Sequence, residues 1–117
     1  MKTRAKVTID RIVEIEDVIW CDGEMLEDGP LLDVIEAVRV PSGSYKLRCV
    51  YEYVSGTYHP PGAPAAWMDT DWDVECERAG LIDEEGNEHT IYGRDLLAAL
   101  ADFDADRVND RVGGEAW

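Results

Sequence analysis

The arrangement of apolar and polar residues is clearest between Tyr45 and Val54. There Tyr45, Leu47, Cys49, Tyr51 and Tyr53 alternate with Lys46, Arg48, Val50, Glu52 and Val54. A period of two places one set on each face of an extended strand, and a face so rich in aromatic residues packs on a core. The stretch Lys6 to Cys21 also favours strand, with Val7, Ile9, Val13 and Ile15 alternating against polar neighbours, although Ile9, Ile12, Val13, Ile19 and Trp20 trace a helical stripe as well. Asp22-Gly23 and Asp28-Gly29-Pro30 read as turns on either side of Glu24 to Glu27. Leu31 to Val40 fits a short helix or a half-buried strand, and Pro41 ends it in either case.

Ser55 to Met68 carries three of the five prolines and reads as a semi-rigid loop between two strands. After it, D-T-D-W-D-V-E-C-E from Asp69 to Glu77 alternates again, opening a strand expected to run to about Ala79. Asp83 to Glu88 reads as a charged hairpin connection, and His89 to Tyr92 as the returning strand. From Arg94 to about Val112 the period changes to that of a helix. Leu96, Leu97, Leu100, Phe103 and Val108 approximate one face, while Asp102, Asp104, Asp106 and Asp110 are expected on the outer side and Gly113-Gly114 as the stop. Strands followed by a terminal helix, with no linker to divide them, predict one α+β domain over residues 1–117, an antiparallel β-sheet with a C-terminal α-helix packed on it.

Composition changes the picture through its charge. The 117 residues include 26 Asp and Glu against 11 Lys and Arg, a formal net charge of -15. Nucleic acid and anionic membrane surfaces would repel such a chain, so its expected partner is a basic protein. The acids crowd into residues 10–38 and 69–88, whereas residues 39–68 hold only Glu52 against Arg39, Lys46 and Arg48. An extended backbone sets Asp69, Asp71, Asp73, Glu75 and Glu77 on one face at about 6.6 Å intervals. Neighbours at that spacing repel by roughly 0.6 kcal/mol in water, a cost that local folding does not explain. A second acidic row beside it would approach the charge density of a DNA strand. The candidates are Asp83, Glu84, Glu85 and Glu88 in the hairpin, Glu14, Glu16 and Asp17 near the N-terminus, or the aspartates of the terminal helix. Tyr58, Trp67 and Trp72 lie next to the row as possible aromatic anchors. The contrasting reading is a solvated face that keeps the chain soluble and blunts an edge strand.

Other chemistry finds less support. D-x-D-x-D at 69, 71 and 73 resembles the opening of a calcium loop, but the position that needs Gly is Val74 and the one that needs a bidentate Glu is Gly80. His59 and His89 stand in no triad or metallohydrolase pattern, and no Lys follows Lys46 to complete a nuclease-like carboxylate set. The expectation is a chain without catalytic residues, cofactor or metal. Cys21, Cys49 and Cys76 are widely spaced and odd in number, which suits reduced thiols and a cytoplasmic setting. No segment reads as a signal peptide or a membrane span.

Tyr51-Glu52-Tyr53, the Gly56 to Pro64 loop and Trp72 to Glu77 together resemble small acidic proteins encoded by bacteriophages and prophages. In these a strand, a proline-glycine loop, an acidic V-E-x-E strand and a terminal helix follow one another. The likeness spans roughly residues 45–110 and departs in the long segment before Tyr45. Such proteins are similar in charge pattern to DNA mimics that block host restriction, CRISPR or recombination machinery. The resemblance therefore implies a non-enzymatic inhibitor of a basic, nucleic-acid-binding host protein, acting in the host cytosol. The partner-binding residues it implies are Asp69, Asp71, Asp73, Glu75, Glu77, Asp83, Glu84, Glu85, Tyr58 and Trp67. The alternative is an accessory of phage assembly in which Trp67, Trp72 and the tyrosines form an apolar subunit interface, as in a homodimer.

Overall fold

The computed structural model describes the backbone of residues 2–58 and 69–115 and the side chains of residues 4–56 and 72–113. Its order is β1 (Lys2–Ile15), β2 (Ile19–Cys21), β3 (Glu24–Leu26), α1 (Pro30–Val38), β4 (Gly43–Tyr58), β5 (Asp69–Ile82), β6 (Glu88–Thr90) and α2 (Arg94–Glu115). The strands form one antiparallel sheet in the order β3-β2-β1-β4-β5-β6. With α2 packed on it the architecture is α+β, as the sequence pattern predicts.

β1, β4 and β5 are long, and the short strands β2, β3 and β6 extend the sheet only at one end. At the other end the sheet is a three-stranded ribbon, and the molecule is elongated, 59 × 25 × 24 Å. One face of the sheet carries Val7, Ile9 and Val13 of β1, the alternating Tyr45 to Tyr53 row of β4, and Val74, Ala79 and Leu81 of β5. These pack with Leu100, Ala101 and Val108 of α2 and Leu31, Val34 and Ile35 of α1 in a single core.

Several elements differ from expectation. Lys6 to Cys21 is two strands joined by a turn at Glu16 to Val18. Leu31 to Val40 becomes a helix because Pro30 at its first turn suits φ near -65° and because Leu31, Val34 and Ile35 then share the face turned to the core. It stops where Arg39 takes a left-handed conformation, φ 56°, two residues before Pro41. Ser55 to Tyr58, read as loop, continues β4 opposite Asp69 to Trp72, and the remainder of that loop lies outside the described residues. The strand after the hairpin is β6, which begins one residue earlier and ends two residues earlier than expected, and Tyr92 beyond it is 81% exposed. α2 runs through Gly113 and Gly114 instead of stopping there.

Candidate functional site: the acidic edge of the sheet

β5 borders β6 only at Gly80 to Ile82, so over the acidic row it is the edge of the sheet. Asp73 and Glu75 project from the face opposite the core and are exposed, with Trp72, Val74 and Cys76 on the other side. Trp72 stacks on Tyr53, one pair removed on the neighbouring strand, at 6.0 Å between centroids. Among the described residues neither Asp73 nor Glu75 meets a cation. Asp73 turns back to accept the Val74 N–H at 3.0 Å, and Glu75 stands directly across from Glu52. Two carboxylates face to face would repel. Glu52 is relieved by Arg4, which donates at 2.9 Å from the far strand.

Glu77 is placed differently. Tyr51 pairs with Cys76 and Val50 with Arg78, so Glu77 is the extra residue of a β-bulge. The bulge reconciles two halves of the strand whose parities disagree: odd positions face outward up to Glu75, while Ala79 and Leu81, also odd, face the core. Glu77 is also paired, accepting from Lys6 at 3.2 Å. The other open-face pair is Asp10 with Arg48, whose hydrogen bond holds the Asp10 carboxyl below its ordinary value.

The expected companion acids lie elsewhere. Asp83 organises the turn, accepting the backbone N–H of Glu85 and of Asn87 at 2.9 Å each and meeting His89 Nε2 at 3.2 Å. These contacts, the Asn87 N–H foremost, lower its pKa. Asp83, Glu84 and Glu85 follow Asp73 by about ten residues of strand, roughly 30 Å, so hairpin and row do not form one patch. Asp102 of α2 comes near the same edge, on the helix side of the sheet. It lines a groove of about 610 Å³ between the β5 edge and the helix, with Val74, Leu97, Ala98, Ala101 and Arg94; Glu75 borders the groove from the strand, its side chain belonging to the opposite face of the sheet. The side chains of Tyr58, Asp69 and Asp71, and the whole of Trp67 and His59, lie outside the described residues. Tyr45, Tyr51 and Tyr53 are core residues, which removes them from any apolar subunit interface.

Asp104 corrects the expectation most sharply, since it is fully buried instead of lying on the outer side of α2. Leu100, Asp104 and Val108 follow at i, i+4 and i+8, and the aspartate occupies the middle of the sheet-facing row. Beneath it Arg11, which interrupts the inward row of β1, donates through both terminal nitrogens, one at 2.9 Å. Tyr51 donates its hydroxyl to the same carboxylate and to the Leu100 carbonyl, and Arg107 donates at 3.2 Å. Burial opposes the Arg11 cation, but the hydrogen bonds and charge of Asp104 outweigh it and raise its pKa. Burial likewise pushes up the Tyr51 hydroxyl. Both guanidinium groups lie beside the Phe103 ring, at 5.4 and 5.0 Å. The cluster joins the two layers, and its polar atoms satisfy one another.

The three cysteines are free. Burial raises the thiols of Cys49 to about 11 and Cys76 to about 12, so neither is an activated nucleophile. Among the described residues no three His, Cys, Asp or Glu side chains converge where a metal ion could sit. No described helix is long and apolar enough to cross a membrane. Comparisons with protein-family models, with curated proteins and with solved structures find no match.

Proposed function

We propose that this protein is a non-enzymatic inhibitor that captures a basic, nucleic-acid-binding protein by offering carboxylates where that protein holds phosphate. The observation that carries the reading is the pair Asp73 and Glu75, exposed on a sheet edge with no cation of the described residues against them, with Asp102 lining the groove on the helix side of that edge. A fold seeking only stability would pair these charges, as it does Glu52 and Glu77 on the same face. The net charge of -15 adds long-range attraction to a cationic partner and fast association at low salt. Such capture is competitive with nucleic acid. The bacteriophage resemblance directs the choice of partner towards host defence nucleases, of the restriction or CRISPR type, within the host cytosol.

The test is displacement of duplex DNA from such an effector, followed over a salt series. Capture that weakens with salt and disappears in the Asp73→Lys/Glu75→Lys/Asp102→Lys variant supports the reading; capture indifferent to all three reversals refutes it. Assembly through aromatic residues is the second reading, favoured by the exposure of Trp72 and Tyr92, 39% and 81%. It requires association that survives the charge reversals and is lost in Trp72→Ala.

A further inference from the structure

The direction of the backbone along β5 says more about how a partner would be held. On β1, the Thr8 carbonyl accepts from Arg111 at 2.6 Å, and the Ile12 N–H and carbonyl both bond to Asp22 at 2.8 Å, so these even-numbered residues turn away from β4. An antiparallel strand alternates its hydrogen-bonding sides. The odd residues Val7 and Ile9 therefore bond to their partners Tyr51 and Cys49, and the even residues of β4 turn to β5. By register, Val54 and Glu52 meet Asp73 and Glu75. Trp72 and Cys76 are left with N–H and carbonyl groups aimed out of the sheet, as is the Val74 carbonyl, while the Val74 N–H is taken by the Asp73 carboxylate. Ala79 shows the same orientation beyond the bulge, where its carbonyl accepts the Ile91 N–H at 2.9 Å. Among the described residues no strand other than β4 pairs with Trp72 to Cys76.

We infer, on the basis of the capture reading above, that this edge takes one extended segment of the partner by β-strand addition, a segment whose residues alternate between basic and apolar. Side chains of an added strand would point alternately to the two faces of the sheet. On the open face they meet Asp73 and Glu75. On the helix face they enter the groove over Val74, Leu97, Ala98 and Ala101. The bulge at Glu77 and the start of β6 close the edge at one end, which limits the seat to about five to seven residues, roughly 17–23 Å. A second copy of this chain is a poor occupant, because pairing β5 with β5 sets the Asp73 and Glu75 rows against each other. A positively charged strand removes that repulsion and supplies the missing backbone partners.

The experiment uses the full chain and three capped heptapeptides of equal charge: alternating Lys-Val-Lys-Val-Lys-Val-Lys, the same residues in block order, and the alternating peptide with every second amide N-methylated. Strand addition predicts that the alternating peptide binds at least about tenfold more tightly than either comparator, since several backbone hydrogen bonds at about 1 kcal/mol each are at stake. It also predicts slower amide exchange at Trp72 and Cys76. Ala98→Arg, at an exposed position on the groove floor, should remove the preference while leaving the fold intact. Equal binding of all three peptides, abolished by reversal of Asp73 and Glu75, overturns strand addition and leaves capture by charge standing. Binding by none of them overturns strand addition, and the DNA displacement assay then decides capture independently.

Discussion

Asp104 and Arg11 are the residues on which the two layers depend. Removing one member of a buried ion pair strands the other charge in an apolar setting and costs about 3–5 kcal/mol, whereas replacing both with apolar residues of similar volume is often nearly neutral. Asp104→Ala should therefore lower the unfolding free energy by about that amount in a urea titration, and Arg11→Met/Asp104→Leu should recover most of it. Equal losses in the single and double variants would show that the cluster stabilises through something other than pairing. Asp83 makes a different prediction. Its folded pKa lies below the ordinary value of 3.8, so the stability it contributes is present above that value and disappears as pH falls through the lower, folded one. The difference in urea midpoint between wild type and Asp83→Asn should close as pH falls below the ordinary carboxylate value. Cys49 and Cys76, with thiols raised to about 11 and 12, should react with a disulfide reagent at pH 8 far more slowly in the native state than in urea.

At the scale of elements, the bulge in β5 decides which residues reach the edge. Its extra residue is Glu77, and deletion of that residue would give Trp72, Val74, Cys76, Ala79 and Leu81 one uninterrupted inward alternation. The deletion variant should fold with the same sheet, losing only the exposed Lys6 pair, worth about 0.2–1 kcal/mol. Loss of cooperative unfolding would mean that the bulge's bend is required for α2 to pack. The conflict behind it is legible in the sequence, where acids hold odd positions up to 77 and Ala79 and Leu81 claim the core at odd positions beyond. Asp104 was legible in the same sense. It falls four residues from both Leu100 and Val108, and Arg11 falls in the inward row between Ile9 and Val13. One acid and one base, each interrupting an otherwise apolar face, announce a pair; aspartate's usual exposure points the other way.

For the whole molecule, self-repulsion at a net charge of -15 competes with ion pairs on the open face, Arg4–Glu52, Lys6–Glu77 and Arg48–Asp10. Exposed pairs contribute about 0.2–1 kcal/mol each, and salt screens both effects. Because unpaired acids outnumber the pairs, added sodium chloride should raise the urea midpoint; a fall would mean that the pairs dominate. Periodicity along the chain was enough to establish the long β4 strand, the acidic strand after it, the terminal helix and the α+β class, because a side chain's face is set by its neighbours within a turn or a pleat. What tertiary structure alone decided was which groups meet. It put Glu75 against Glu52, gave Glu77 to Lys6, separated the hairpin acids from the row and sank Asp104 onto Arg11. Those outcomes join residues up to 93 positions apart, and strand order, register and helix placement, which no local pattern encodes, determine them.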